Sequence, residues 1–172
     1  MKKILLSVFL SLFAVGALGQ SSDEPSFKDY TAPVYAGKIR TINFKSHPKA
    51  RTFRTKLKDG AKDGINFAGR YNLSTIGCGA GCFIVAIIDA VNGSVYFPNE
   101  LYGWSVGIGD WTNNEEPVTY RTDSHLLRMV GYPHKGKPGK ENYGEGGIYF
   151  YEWKNNHLKL VKFIKKADAP DK

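Results

Sequence analysis

The sequence predicts an α+β domain, a largely antiparallel β-sheet with one amphipathic helix packed on it, and three observations carry that expectation. From Pro48, apolar residues fall at Ala50, Phe53, Leu57 and Ala61, within about 80° of one another at the 100° step of a helix. The run FIVAIID, Phe83 to Asp89, is apolar on both faces, as a central strand is. Finally, Tyr149 to Trp153 and Leu158 to Ile164 flank Asn155-Asn156, a pair that tolerates the left-handed backbone of a two-residue hairpin turn.

Taken in chain order, the first 19 residues read as a secretory signal. Lys2 and Lys3 precede an apolar run from Ile4 to about Val15, and Ala17-Leu18-Gly19 places small residues where a signal peptidase cuts. The run is short for a membrane span, although an uncleaved anchor is the competing reading. No cysteine stands at the cleavage site, which argues against a lipoprotein. Residues 20–33 are polar and read as a flexible lead-in. The single domain is expected over 34–166, with a C-terminal tail at 167–172. It opens on a short strand near Val34 to Phe44. Ser46 is a candidate helix cap, and Gly60 and Gly64 end the helix. Strands follow at Tyr71 to Ile76 and Phe83 to Asp89, and Asn92-Gly93 turns the chain back through Val95, Tyr96 and Phe97. Leu126 to Val130 is a further strand. The last hairpin sets a register: Trp153 opposite Leu158, Tyr151 opposite Leu160, Phe150 opposite Val161, and Glu152 opposite Lys159 with opposite charge. Its tyrosines and leucines share one face, which places Leu160 in the core.

Cys78 and Cys82 are the only cysteines, set in GCGAGC. In an oxidising compartment two thiols this close are expected to be joined. Four extended residues span roughly 13 Å, whereas bridged Cα atoms lie about 4.4–6.8 Å apart, so the chain between them must turn. Gly77, Gly79 and Gly81 permit that turn. A ring this small stabilises by only about 2 kcal/mol, and its larger effect is to fix the shape of a loop presented at the sheet edge. Functional thiols are the competing reading, but redox pairs more often have two intervening residues. Thiolate activation requires nearby positive charge or a helix N-terminus, and only Arg70 offers to approach.

After loss of 19 residues the chain keeps 153, enough for one domain with a sizeable core. Its charge is then about +6, from 22 basic and 16 acidic residues. Basic clusters at Lys49 to Lys62, His134 to Lys140 and Lys162 to Lys166 favour an acidic envelope protein or an anionic envelope polymer as partner rather than nucleic acid. No second stretch is apolar enough to cross a membrane after signal cleavage. His47, His125, His134 and His157 lack ligand spacing, so neither a metal nor a cofactor is expected.

The stretch DGINFAGRYNLSTIGCGAGC carries GxNFAGxY followed by GCGxxC, then AIID and GSVYFP. This pattern resembles a family of uncharacterised bacterial exported proteins over Gly64 to Pro98, with a looser echo in DSHLLRMVGY and GGIYFYEW. The resemblance implies an exported, disulfide-bearing domain and assigns no catalytic residue.

Candidate binding residues fall in three places. Arg70, Gly79 and Gly81 accompany the disulfide. Tyr102, Trp104 and Trp111 lie in a glycine-bearing stretch with Asp110, Glu115 and Glu116; their rings either stack on a ligand or plug the core. Lys135 and Lys137, with His134 and Lys140, form a cationic loop over Tyr132 to Gly147. Two function classes result. The first is a non-enzymatic envelope binding protein (an inhibitor, an immunity-type protein or a sequestering module) that uses the pinned loop as a rigid contact. The second is an enzyme on cell-wall or other glycan material, using carboxylates near Trp104 to Glu116.

Overall fold

A computed structural model describes residues 24–106, 115–135 and 143–166; the signal, the tail, Trp111 and Lys137 lie outside them. The chain forms two four-stranded antiparallel sheets. In the first, β1 (Tyr71–Gly79) and β2 (Cys82–Asp89) make a hairpin, and β2 pairs on its other edge with β3 (Val95–Tyr96) and β4 (Trp104–Ser105). The second is a meander of β5 (Val118–Tyr120), β6 (Leu126–Gly131), β7 (Gly147–Lys154) and β8 (His157–Lys165). The sequence expectation of antiparallel strands holds, but they divide between two sheets rather than one.

Strand alternation explains the layering. Val85 and Ile87 of β2 point into a central cluster with Leu73, Leu127, Met129, Tyr149, Tyr151 and Trp153, which joins the two sheets. Their neighbours Ile84, Ala86 and Ile88 point the other way, onto Ala50 and Leu57. On the outer side of the second sheet, Leu126, Val130, Ile148 and Phe150 meet Phe27 and Tyr30. FIVAIID is therefore apolar on both faces because both faces are covered.

The helix forms in two short pieces, α1 (Pro48–Thr52) and α2 (Arg54–Gly60), broken at Phe53. Ala50 and Leu57 are fully buried against the first sheet, and burying a leucine contributes about 1.5–3 kcal/mol. The cap differs from expectation. His47 Nδ1 accepts the Lys49 N–H at 3.2 Å, with Pro48 at the first helical position. Ser46 serves elsewhere: its hydroxyl donates to the Asn43 carbonyl and accepts from Val95 N–H.

Three further expectations change. Residues 34–44 form no strand, because their backbone bonds are too widely spaced for a ladder: Tyr35 to Gly69, Arg40 to Ala90 and Asn43 to Gly93. Within the expected lead-in, Phe27–Tyr30 forms a 3-10 turn whose rings cover the second sheet. The Asn155-Asn156 turn forms with φ of 52° and 61°, and Trp153–Leu158, Glu152–Lys159 and Tyr151–Leu160 pair as expected. A bulge then shifts the ladder so that Phe150 meets Lys162, not Val161. Leu160 is 50% exposed, since β8 is an edge strand; its core assignment is incorrect.

Candidate functional site

GCGAGC is the tip of the β1–β2 hairpin. Gly79 pairs with Cys82, leaving Ala80 and Gly81 as a two-residue turn, and a bulge at Cys78 interrupts the register. Gly81 takes φ +65°, a left-handed conformation that glycine adopts without steric cost. Cys78 and Cys82 are joined, with Cα atoms 5.2 Å apart. The tip is braced from beyond β4, where Val106 N–H donates to the Gly81 carbonyl at 2.7 Å. Its residues 77–80 are nonetheless exposed.

Beside the disulfide lies a cleft of about 300 Å³ lined by Cys78, Cys82, Ile84, Tyr102, His134 and Tyr143. Each wall comes from a different part of the chain. Tyr102 follows a 3-10 turn at Asn99–Leu101. His134 and Tyr143 form an isolated β-bridge, their rings edge to face at 5.4 Å. The Lys49 ammonium sits 3.2 Å from the Tyr102 ring centroid, a cation–π contact. Burial lowers the Lys49 pKa. The three separate stretches that the sequence marks thus converge at one end of the molecule. Tyr143 and Lys49 are additions that sequence reasoning missed, and neither has a local motif; Tyr143 is a lone aromatic, and Lys49 is one lysine among many.

Other candidates go elsewhere. Trp104 is fully buried, and its Nε1–H donates to the Val130 carbonyl at 2.8 Å; it is a core residue and not a contact surface. Arg70 lies at the far end of β1, roughly 25 Å along the strand from Cys78, where its guanidinium bonds the buried Asp89 carboxylate at 2.9 Å. It cannot approach the disulfide. Lys135 is exposed beside His134. Glu115 accepts from Arg128 at 2.9 Å, and Glu116 borders a separate depression with Phe83 and Tyr120. Asp110, Trp111 and Lys137 lie outside the described residues.

The GxNFAGxY motif is accounted for by folding. Asn66 accepts from Leu73 N–H at 2.7 Å and donates to its carbonyl, standing in for a strand residue. Phe67 is fully buried. Ala68 and Gly69 donate to the Arg121 and Thr122 carbonyls of the β5–β6 connection, tying one sheet to the other. At Gly69, with φ +79°, an added Cβ would lie 2.2 Å from the Pro33 carbonyl oxygen, so only glycine fits.

Chemically, the cleft offers two phenolic rings, an imidazole and a rigid backbone tip, with no carboxylate among its lining residues. That set suits an apolar or aromatic side chain that also takes a hydrogen bond. Among the described residues no three His, Cys, Asp or Glu side chains cluster as metal ligands, and no helix is long and apolar enough to cross a membrane. No protein-family model, curated protein or solved structure matches the chain.

Proposed function

We propose that this chain is an exported, non-enzymatic binding protein that grips an envelope protein partner with its disulfide-pinned hairpin tip and the adjoining Tyr102–His134–Tyr143 cleft. The observation that carries the reading is convergence: three sequence-distant stretches meet at one exposed end, around a tip that a covalent ring holds in shape. A contact fixed before association loses less entropy on binding, and aromatic anchors in a partly desolvated cleft suit a protein interface. Export is supported by Lys2, Lys3, the apolar run to Val15 and Ala17-Leu18-Gly19, and by the resemblance of Gly64 to Pro98 to exported bacterial proteins. Trp104 is no glycan platform once buried, and Glu115 is committed to Arg128; both points favour binding over glycan cleavage.

The experiment is capture of a periplasmic extract on immobilised oxidised protein, beside the same protein treated with dithiothreitol and beside purified wall polymer. One stoichiometric protein on the oxidised column, depleted on the reduced one, supports the reading. Release of sugar fragments from the polymer contradicts it. Mass spectrometry of the N-terminal peptide of the fractionated protein checks export, with Gln20, free or cyclised, expected as the first residue.

A further inference from the structure

Charge is distributed very unevenly along this chain. Residues 38–62 hold nine of its 24 Lys and Arg and one of its 16 acids, so the remaining residues carry fifteen of each and sum to zero. The whole net charge of +8 therefore resides in one segment. The fold makes that segment a surface: Ala50 and Leu57 anchor it to the first sheet, which turns Arg51, Arg54, Lys56 and Lys58 outward, all exposed. Asp59, its single acid, is already paired with Lys62.

In this layer lies a groove of about 640 Å³ lined by Ile42, Asn43, Phe44, Lys45, Arg51 and Arg54. Arg51, on α1, and Arg54, on α2, flank the break at Phe53 and both line the groove, and Lys45 stands with Phe44 on the coil. No carboxylate lines the groove. Such a charged trough with no internal counter-charge concentrates anions.

We propose that this layer docks a linear phosphate polymer without nucleobases along the Lys45–Arg51–Arg54 groove, as a surface separate from the cleft and independent of the reading given to it. The occupant is chosen on three grounds. Guanidinium forks match phosphate oxygens two at a time. The one aromatic ring lining the groove, Phe44, is half-buried against the core cluster under the helices and carries the Arg54 guanidinium 4.7 Å from its centroid, so the ring is already engaged and the groove offers mainly charge. None of the large exposed apolar side chains falls within 38–62 among the described residues, so the layer lacks the wedge that seats a helix in a bilayer.

The test titrates the full mature protein with inorganic polyphosphate at several salt concentrations. Parallel arms use polyglutamate, a single-stranded oligonucleotide and vesicles containing an anionic phospholipid. Binding is expected to weaken steeply with salt, by a log–log slope of about 0.7 per phosphate neutralised, as for single-stranded nucleic acid. Arg51→Glu/Arg54→Glu should weaken polyphosphate binding at least tenfold. Lys28→Glu/Lys154→Glu, the same charge change placed on exposed residues outside the layer, should change it less than threefold. Arg51→Gln/Lys45→Gln, which leaves the Arg54–Phe44 contact intact, gives the same test should the first pair disturb folding. Equal losses in the site and control variants would reduce the effect to net charge and overturn the proposal. So would tighter binding of polyglutamate, the oligonucleotide or the vesicles than of polyphosphate.

Discussion

Leu160 and Leu127 show how far a single residue's role depends on position in the sheet. Both lie on strands, yet Leu160 is 50% exposed on the edge strand β8 while Leu127 is fully buried between the sheets. Leu160→Asp is therefore expected to cost less than about 1 kcal/mol, as exposed substitutions do. Leu127→Asp should cost several kcal/mol by burying an unpaired carboxylate. Thermal melts of the two variants check this, and equal shifts would show the face assignment to be wrong. The alternation of β7 and β8 was legible from Tyr149, Tyr151, Trp153 and Leu158, but the bulge opposite Phe150 and the limit of the covering sheet were not, because both are set by the neighbouring strands. A second residue-scale consequence concerns alkaline pH. Burial, and then the Glu145 carboxylate, push the Tyr149 phenol up to about 12, and burial first of all pushes Tyr151 up as well. An unfolded tyrosine ionises near 10, so the folded state retains a proton that the unfolded state loses. The stability from these phenols is complete below pH 10 and drains as pH rises toward 12. Tyr149→Phe should lose about 1 kcal/mol at neutral pH, with the hydrogen bond to the Glu145 carbonyl, yet decline less between pH 10 and 12 in denaturant titrations.

Among the elements, the helix over 48–60 was the most legible and its ends the least. Ala50 and Leu57 were marked by their period, and both are buried; the cap was misassigned because Ser46 and His47 are adjacent and only the fold shows which one meets an amide. His47 as cap makes the helix pH-sensitive. Its Nδ1 accepts the Lys49 amide only when unprotonated, and burial, then the Lys49 charge, lower its pKa below the ordinary 6.5. A lowered histidine contributes stability that is present above pH 6.5 and is lost as pH falls through the lowered value. His47→Asn keeps a capping acceptor and should remove that acid sensitivity, while His47→Ala should cost about 1 kcal/mol at neutral pH. Stability measured between pH 4 and 7 distinguishes these outcomes, and an unchanged pH profile in His47→Asn would show that the cap does not titrate. The hairpin tip was equally readable: two cysteines among glycines required a turn, and Ala80-Gly81 supplies it.

For the molecule as a whole, the sequence indicated strands covered on both faces without indicating what covers them. FIVAIID needed two partners; one is the helical layer and the other a second sheet, and pairing between distant strands leaves no local periodicity to read. For the same reason the cleft was only partly legible. Tyr102, His134 and the disulfide were each marked, whereas their meeting depends on the Ser105–Tyr132 bridge that joins the sheets. Whether this end of the molecule is the surface that meets a partner can be read by photocrosslinking in intact cells. A photoreactive residue is placed at exposed Ala80 in the tip, and separately at exposed Lys154 beside the β7–β8 turn. One defined crosslinked protein is expected from position 80, lost in the Cys78→Ser/Cys82→Ser background, and none from position 154. The same crosslinks from both positions, or crosslinks from 154 alone, would contradict that expectation.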